Sequence, residues 1–274
     1  MIHKLYTRLL AAAGATLIAA ALFAPAATAQ EPAPGFERFA GCPSPEENPD
    51  IVICMRTVID GGHFKMGSKE VPIVNPITLS GGTNFITGAL EYNSKGGLEP
   101  VKQPIPGGLV GLTGLDWLVN FLNLEQLKVY AVTELAGEPS SPLEEPVTMP
   151  IKVRLINPAL GNNCYVGSNS NPIVLNLTTK TTNPPPPNEP ITGVEPEFVF
   201  DEEAGLIFLN NGVFVDNEFA APGATGCKLN VLGLPLLNID ALINAQSGLP
   251  SPAGTNETVQ TWDGEAAEAI TVYP

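Results

Sequence analysis

The feature that most constrains this chain is a series of short runs in which apolar and polar residues alternate. The clearest runs are Thr148–Ile156 and Ile173–Thr179, where apolar side chains recur at every second position. Such alternation predicts half-buried strands with one face toward a core. The 274 residues include 27 Gly and 28 Pro, which supply the turns between runs. The sequence therefore predicts a mainly β fold, an antiparallel β-sandwich or two abutting sandwiches.

Other short runs predict further strands. These are Ile51–Cys54, Ile73–Leu79, Asn84–Tyr92, Lys128–Leu135, Glu197–Phe200, Gly205–Leu209, Gly212–Val215, Glu257–Trp262 and Ala269–Tyr273. Asn210-Asn211-Gly212 predicts a hairpin turn, because Asn and Gly accept a positive φ.

Two short helices are predicted on insertions between strands, at Leu115–Leu124 and near Ile239–Ala245. In the first, Leu115, Leu118, Val119 and Leu122 recur at helical spacing. We interpret this helix as a plug that packs against one end of the sandwich. The alternatives are a lid over an apolar ligand cavity and an element that contacts a membrane.

The N-terminus has the layout of a secretory signal peptide. Lys4 and Arg8 form a basic region, 9–23 is apolar and small, and Ala27-Thr28-Ala29 is a small-residue cleavage motif. Cleavage after Ala29 predicts a secreted, extracellular protein. An uncleaved membrane anchor is disfavoured because the apolar run is short and ends at Pro25. No later run is long and apolar enough to span a bilayer.

The charge balance excludes some classes of partner. Removing residues 1–29 removes two of 13 basic residues and none of the 28 acidic ones, so the formal net charge changes from −15 to −17. Such an acidic protein repels nucleic acid and anionic lipid head groups. The sequence therefore predicts no nucleic-acid partner and no membrane span. Contact with the cell envelope or with glycans is the remaining expectation, and the oligomeric state stays open.

Four cysteines, Cys42, Cys54, Cys164 and Cys227, lie after the leader. An even number in an exported protein predicts disulfides, with three connectivities open. We favour Cys42–Cys54 and Cys164–Cys227, since each pair closes a loop within one region. Metal binding by four cysteines is disfavoured because no close CxxC pair exists.

The predicted organisation has two parts after the signal peptide of residues 1–29. Residues 30–66 form an N-terminal segment tied by a disulfide, and residues 67–274 form the β-sandwich region. The Pro-rich stretch 182–190 is either a flexible linker or a rigid crossover. We favour the crossover because Cys164 and Cys227 flank it, and a bridge across a free linker would defeat its flexibility.

Three segments together carry a resemblance to a known group. They are Ile151–Asn183, Val215–Cys227 and Ile243–Asn256, with motifs such as NPALGNNCYVGSNSNP and APGATGC. The chain resembles a group of secreted actinobacterial proteins to which no activity is attached. The resemblance implies export and a two-cysteine link in the C-terminal half, but no functional residue.

Few residues support catalysis. His63 is the one histidine after the leader, and no GxSxG motif supplies a nucleophile. A zinc site of several histidines is therefore excluded, and neither a phosphate-binding loop nor a dinucleotide fingerprint is present. We interpret His63 as a surface or hydrogen-bonded structural residue, and we predict no catalytic residue, cofactor or metal.

Carboxylates leave one enzymatic alternative open. Asp116 and Asp240 each lie in an apolar stretch, although both are also well placed to begin a helix. Glu144-Glu145 and Asp201–Glu203 are acidic clusters in predicted loops, without the spacing of an EF-hand. The main hypothesis is a secreted non-catalytic protein with a binding or structural role. The alternative is a secreted glycan hydrolase that uses two carboxylates.

Overall fold

Strands and short helices make up the regular structure. The computed structural model describes residues 30–231 and 234–274. The strands are β1 Ile51–Met66, β2 Lys69–Pro72, β3 Ile77–Asn84, β4 Leu90–Glu91, β5 Gly97–Leu98, β6 Lys102–Pro104, β7 Tyr130–Leu135, β8 Val147–Ile156, β9 Tyr165–Val166, β10 Ile173–Leu177, β11 Glu197–Asp201, β12 Leu206–Asp216, β13 Ala224–Thr225, β14 Lys228–Val231, β15 Leu234–Asn238 and β16 Glu257–Glu268. The α-helices are α1 Gly108–Thr113, α2 Leu124–Leu127, α3 Asp240–Ser247 and α4 Ala269–Val272.

The strands form two antiparallel sheets and one separate hairpin. The first sheet has the order β11-β12-β16-β1-β3-β4, with β2 beside β1 and β5 beside β3. The second has the order β13-β9-β8-β7-β6, with β10 beside β8. β14 and β15 pair only with each other among the described strands. The predicted mainly β, antiparallel sandwich is confirmed, and residues Glu31–Pro274 form one compact unit.

Alternation along β8 and β10 places one face of each strand in the core. In β8 every second side chain is buried, and Lys152 and Arg154 lie on the opposite face, as predicted. In β10 the buried side chains are those of Ile173, Leu175 and Leu177. These residues belong to the same apolar cluster as side chains of the first sheet, so the two inner faces share one core.

The two sheets are hydrogen-bonded to each other where β10 meets β12. Thr178 and Val215 exchange two backbone hydrogen bonds of 2.9 Å each. Beside them, the buried Asp216 carboxylate accepts the N–H of Asn176 at 2.7 Å and the N–H of Glu218 at 2.8 Å. Burial raises the pKa of Asp216 despite these two donors. The contact fixes β10 against the edge of the first sheet.

The predicted hairpin turn at Asn210-Asn211-Gly212 is wrong, because β12 runs through it. The register of β12 against β16 shifts between Leu209 and Gly212, which is a β-bulge. Asn211 has the positive φ that its sequence indicated, 57°. The N–H of Asn211 bonds to the carboxylate of Asp263, at 2.7 Å on the adjacent strand. Because β12 pairs with β16, which is distant in sequence, these residues form a bulge within a strand and not a turn between two strands.

The predicted helix Leu115–Leu124 is broken into short pieces. α1 ends at Gly114, which has a φ of 68°, a 3-10 helix spans Asp116–Asn120, and α2 follows. Leu109, Leu112 and Leu118 are buried in the main core, which agrees with a plug at the end of the sandwich. Val119 is 55% exposed, however, so the prediction that it packs into the core together with Leu118 is wrong.

A second, smaller core contains one of the two disulfides. Cys42 and Cys54 are bonded and buried with Phe39 and Val272. The Tyr273 hydroxyl donates to the carbonyl of Cys42 at 2.8 Å. Burial, followed by the charges of Glu47 and Glu31, raises the pKa of this phenol to about 12. Residues 269–272 form α4, so the closing strand predicted at Ala269–Tyr273 is wrong.

The second disulfide joins Cys164 to Cys227, next to the start of α3. Asp240, the first residue of α3, accepts the N–H of Cys227 at 2.7 Å and that of Gly226 at 3.2 Å. The structure therefore has both favoured cysteine pairs, and the described residues contain no free cysteine. Two disulfides fit an oxidising, extracellular environment.

A backbone hydrogen bond joins the two ends of the Pro-rich stretch 182–190. The N–H of Thr182 bonds to the carbonyl of Ile191 at 2.9 Å. Asn188, near its C-terminal end, donates to the carbonyls of Asn217 at 3.0 Å and Asn256 at 2.7 Å. These bonds hold the stretch against the sandwich, as expected of a rigid crossover.

The predicted signal peptide, residues 1–29, lies outside the described residues. No helix among the described residues has the length and apolar character needed to cross a bilayer. The segment 30–66, which the sequence sets apart, ends in β1, and β1 lies between β3 and β16 in the first sheet.

Leu118 and Val119 provide a matched pair for testing the plug. Leu118 is fully buried and Val119 is 55% exposed. We expect Leu118→Ala to lower the free energy of unfolding by about 2–5 kcal/mol, because it leaves a cavity in the core. Val119→Ala should change it by less than about 0.5 kcal/mol. Urea unfolding measures both; equal effects of the two variants would contradict the assignment.

The carboxylate of Glu145 stabilises the folded protein, and this stabilisation depends on pH. Its Oε1 accepts the Thr178 hydroxyl and both the N–H and the hydroxyl of Thr179, and Lys180 Nζ lies 3.2 Å from Oε2. Burial alone would raise the pKa of Glu145, but the hydrogen bonds outweigh it and lower the pKa to about 2.

Because the folded pKa of Glu145 lies below its unfolded value, the ionised form is the one that favours folding. This stabilisation is complete above a pH of about 4.5 and is lost as the pH falls toward about 2. We expect Glu145→Gln to be about 1–2 kcal/mol less stable at pH 7, after allowance for solvent screening. The difference should vanish near pH 2 in denaturant titrations. A difference that stays constant with pH would refute this account.

Candidate functional site

The most distinctive internal feature is an apolar cavity of about 50 Å³ between the two sheets. Its lining comes from nine strands and one loop. The lining residues are Ile59, Phe64, Met66, Val71, Ile73, Ile77, Leu98, Gln103, Ala131, Thr133, Met149, Ile151, Val153, Leu175 and Gln260. No charged side chain lines the cavity within the described part of the chain. The site can therefore accept an apolar group and offers nothing to an ionic one.

One side of the cavity is deep and the other is partly open. Ile59, Met149, Ile151 and Leu175 are buried at its floor. Phe64, Met66, Val71, Ile73, Leu98 and Thr133 are only half-buried. The open side is therefore bordered by the hairpin of β1 and β2 and by the neighbouring ends of β5 and β7.

A bulge in β1 aims that hairpin over the cavity. The register of β1 against β16 shifts between Ile59 and Gly61. Gly62 then has a φ of 104°, and a Cβ at this position would lie 1.9 Å from the carbonyl oxygen of Val259. Only glycine fits such a site. Beyond the bulge the end of β1 pairs with β2, and Phe64 and Met66 reach the cavity from this pair.

Asn256 anchors the tip of the hairpin. Its Oδ1 accepts the N–H of Gly67 at 2.9 Å and the Ser251 hydroxyl at 2.6 Å. Its Nδ2 donates to the carbonyls of Phe219 at 2.8 Å and Pro252 at 3.1 Å. The side chain is fully buried, and its four hydrogen bonds use its whole capacity. Asn256 thus joins the hairpin to two loops of the sandwich.

Two further residues, Ser68 and Lys69, hold the same tip through three hydrogen bonds. The Ser68 N–H donates to the carbonyl of Ser247 at 2.9 Å, and its hydroxyl donates to that of Gln246 at 3.1 Å. Lys69 Nζ donates to the carbonyl of Gly111 at 2.7 Å. The hairpin is therefore fastened to α3 and α1, and the cavity wall has a fixed position.

The two glutamines of the lining turn their amides toward the protein. Gln260 Oε1 accepts Trp262 Nε1 at 2.9 Å, and its Nε2 donates to the Thr258 hydroxyl at 3.1 Å. Gln103 Oε1 accepts two backbone N–H groups, those of Val74 and Asn75, at 3.0 Å each. Because these acceptors are already used, the cavity behaves as an apolar space.

His63 lies near this wall but in a structural pair. Its Nε2 is 3.0 Å from Glu257 Oε1, and both side chains are partly exposed. The carbonyl of His63 accepts the Thr258 hydroxyl at 3.0 Å. Every described cysteine is in a disulfide, so no thiol is available as a nucleophile. The predicted hydrogen-bonded histidine agrees with this geometry.

The carboxylates singled out in the sequence have separate surroundings. Asp116 is exposed at the start of its 3-10 helix, whereas Asp240 bonds to backbone N–H groups near Cys227. Asp201 accepts the N–H of Ala204 within a turn at 2.9 Å. In the part of the chain that the structure describes, no three His, Cys, Asp or Glu side chains form a group able to hold a metal ion.

The segment 108–127, for which a lid is one of the interpretations that the sequence allows, contributes no side chain to the cavity. The lining contains no residue between Gln103 and Ala131. The lining side chains that sequence reasoning missed, above all Phe64, Met66 and Gln260, lie on strands whose inward faces recur at every second residue. That alternation is present in the sequence, but it does not show which inner faces oppose each other.

Comparison with known proteins gives no relative. No family model, no curated protein and no solved structure matches this chain.

Asn256 offers a direct test of how the cavity wall is held. We expect Asn256→Ala to lower the free energy of unfolding by about 2–4 kcal/mol, because two buried donors and two carbonyls lose their partner. Amide exchange should accelerate across 63–72. The exposed Asn169, whose Oδ1 accepts Lys152 Nζ at 2.8 Å, is the matched control, with an expected change below about 0.5 kcal/mol for Asn169→Ala. Unchanged exchange in the hairpin of Asn256→Ala would show that the anchor lies elsewhere.

Proposed function

We propose that this is an exported, non-catalytic binding protein that acts outside the cell or at the cell envelope. The single observation that carries the proposal is the apolar cavity between the two sheets, with one half-buried side. The ligand is a molecule with a slim apolar chain, which enters between the β1–β2 hairpin and the ends of β5 and β7. Apolar cavities in protein interiors take apolar molecules such as benzene.

The size and composition of the cavity define the ligand further. Its 50 Å³ exceed what one water needs but fall below the roughly 300–1,000 Å³ of a site for a drug-sized molecule. A linear alkyl chain therefore fits better than a ring system. Met66 and Met149 in the lining are flexible and adapt to such a chain.

Export is part of the same proposal. It is supported by the leader-like residues 1–29 and by the two disulfides. Three segments resemble secreted actinobacterial proteins, and this resemblance also predicts export.

The hydrolase alternative receives no support from a specific contact. Asp240 is engaged by the N–H groups of Gly226 and Cys227 and by Asn238 Nδ2 at 3.0 Å. A carboxylate held in this way stabilises the turn at the disulfide, and an exposed Asp116 has no apolar pocket around it. Contact with glycans or with the envelope remains a prediction of the sequence.

Binding of a neutral fluorescent probe tests the proposal. We expect N-dodecyl dansylamide, a neutral probe whose linear alkyl chain can enter the cavity, to bind one saturable site with a blue shift and increased emission. Ala131 lines the cavity, so Ala131→Leu should weaken binding at least tenfold because the larger side chain occupies the space. Its melting temperature should be equal to or above that of the wild type, as is usual when a cavity is filled.

Ala245→Leu is the matched control. Ala245 is exposed on α3, and its substitution adds the same side-chain volume at a position away from the cavity. It should bind the probe as the wild type does. The proposal would be overturned if the wild type gave no saturable signal, or if a folded Ala131→Leu bound the probe equally well.

A further inference from the structure

The outermost strand of the first sheet is exposed along its whole length. All five residues of β11 are exposed, and β12 is the only described strand that pairs with it. Within the described residues, the far side of β11 therefore has backbone N–H and C=O groups with no strand partner, and these are a template for another extended chain. Natural proteins usually block such an edge with lysine, proline or a bulge. β11 contains none of these between Glu197 and Asp201.

The centre of this edge is apolar. Phe198 is 50% exposed, Val199 43% and Phe200 66%. Because side chains alternate along a strand, Phe198 and Phe200 share one face and Val199 lies on the other. Two aromatic rings on one face offer a large contact area to the side chains of an added strand.

The ends of the edge are acidic. Five carboxylates surround the apolar centre, and no lysine or arginine occurs between Lys180 and Lys228. The five are Glu195, Glu197, Asp201, Glu202 and Glu203. An approaching strand therefore meets negative charge at both ends and an apolar surface in the middle.

A second copy of this chain does not suit the edge. Antiparallel pairing of two β11 strands about Val199 would place Glu197 of each copy opposite Asp201 of the other. Like charges directly opposite each other destabilise a strand pair. The occupant must instead carry positive charge where β11 carries negative charge.

We propose that β11 binds an extended segment of a partner protein, which adds to the first sheet as a further strand. The segment has apolar residues in its centre and Lys or Arg at both ends. Backbone hydrogen bonds supply affinity in this mode of recognition, and the side chains supply specificity. This site lies on the outside of the sheet and is independent of the cavity proposed above.

A synthetic peptide serves as the probe. In the fluorescently labelled nonapeptide KTRVTVRTK, pairing of the central threonine with Val199 places the two arginines opposite Glu197 and Asp201. The two valines then lie opposite Phe198 and Phe200. This peptide should bind the protein at least tenfold more tightly than ETEVTVETE and than KTRVPVRTK, whose central proline blocks strand pairing. Amide exchange should slow at 197–201 when the first peptide is bound, since strand addition protects the edge.

Two double variants test the residues. Phe198→Ser with Phe200→Ser should weaken binding at least tenfold, whereas Glu197→Lys with Asp201→Lys should reverse the preference in favour of ETEVTVETE. Phe85→Ser with Ile86→Ser is the matched control, because both side chains are highly exposed on a loop next to β3, and it should bind as the wild type does. All changed side chains are exposed, so melting temperatures should fall by no more than a few degrees, even though Asp201→Lys also removes the turn hydrogen bond to Ala204.

Three outcomes would overturn the proposal. The first is equal binding of the basic and acidic peptides. The second is binding without slower exchange at 197–201, which would mean attraction by charge alone. The third is a wild-type dimer in sedimentation that dissociates in the Phe198→Ser, Phe200→Ser variant, because the edge would then belong to a second copy.

Discussion

The apolar contact between the inner faces of the two sheets is the interaction on which the rest of the structure depends. Ile151 and Leu175 of the second sheet belong to one buried cluster with Ile59 and Ile77 of the first. Burying such side chains is the main favourable contribution to folding. The same contact creates the candidate site, since the facing side chains leave a space of about 50 Å³ where they do not meet.

Buried polar groups then fix how the pieces around this core are placed. Asn256 has every hydrogen-bonding group of its side chain satisfied and holds the β1–β2 hairpin, while Asp216 links β12 to β10. A buried polar group without partners would be costly, so each of these groups strongly favours one arrangement of its neighbours. The wall of the cavity is therefore positioned by hydrogen bonds, although its surface is apolar.

Local sequence signals succeeded where a strand or helix depends on its own residues, and they failed where a distant strand intervened. The alternation of β8 and β10 predicted both strands and their buried faces. The Asn211-Gly212 signal correctly indicated a positive φ, yet pairing of β12 with β16 turned it into a bulge. The apolar stripe at 115–124 was split because the 3-10 helix ends at Asn120, Asn123 caps a new helix, and only part of the stripe reaches the core.

The sequence by itself determined the mainly β character, the turn-rich connections and the acidic charge, because these follow from composition and from the two-residue period of a strand. Its spacing also favoured the two cysteine pairs that the structure contains. Only the tertiary structure decided which strands are neighbours, and therefore which side chains line the cavity and which strand is left as an open edge. Phe64 and Leu175 are more than one hundred residues apart in the chain and share one cavity, a proximity that no local pattern encodes.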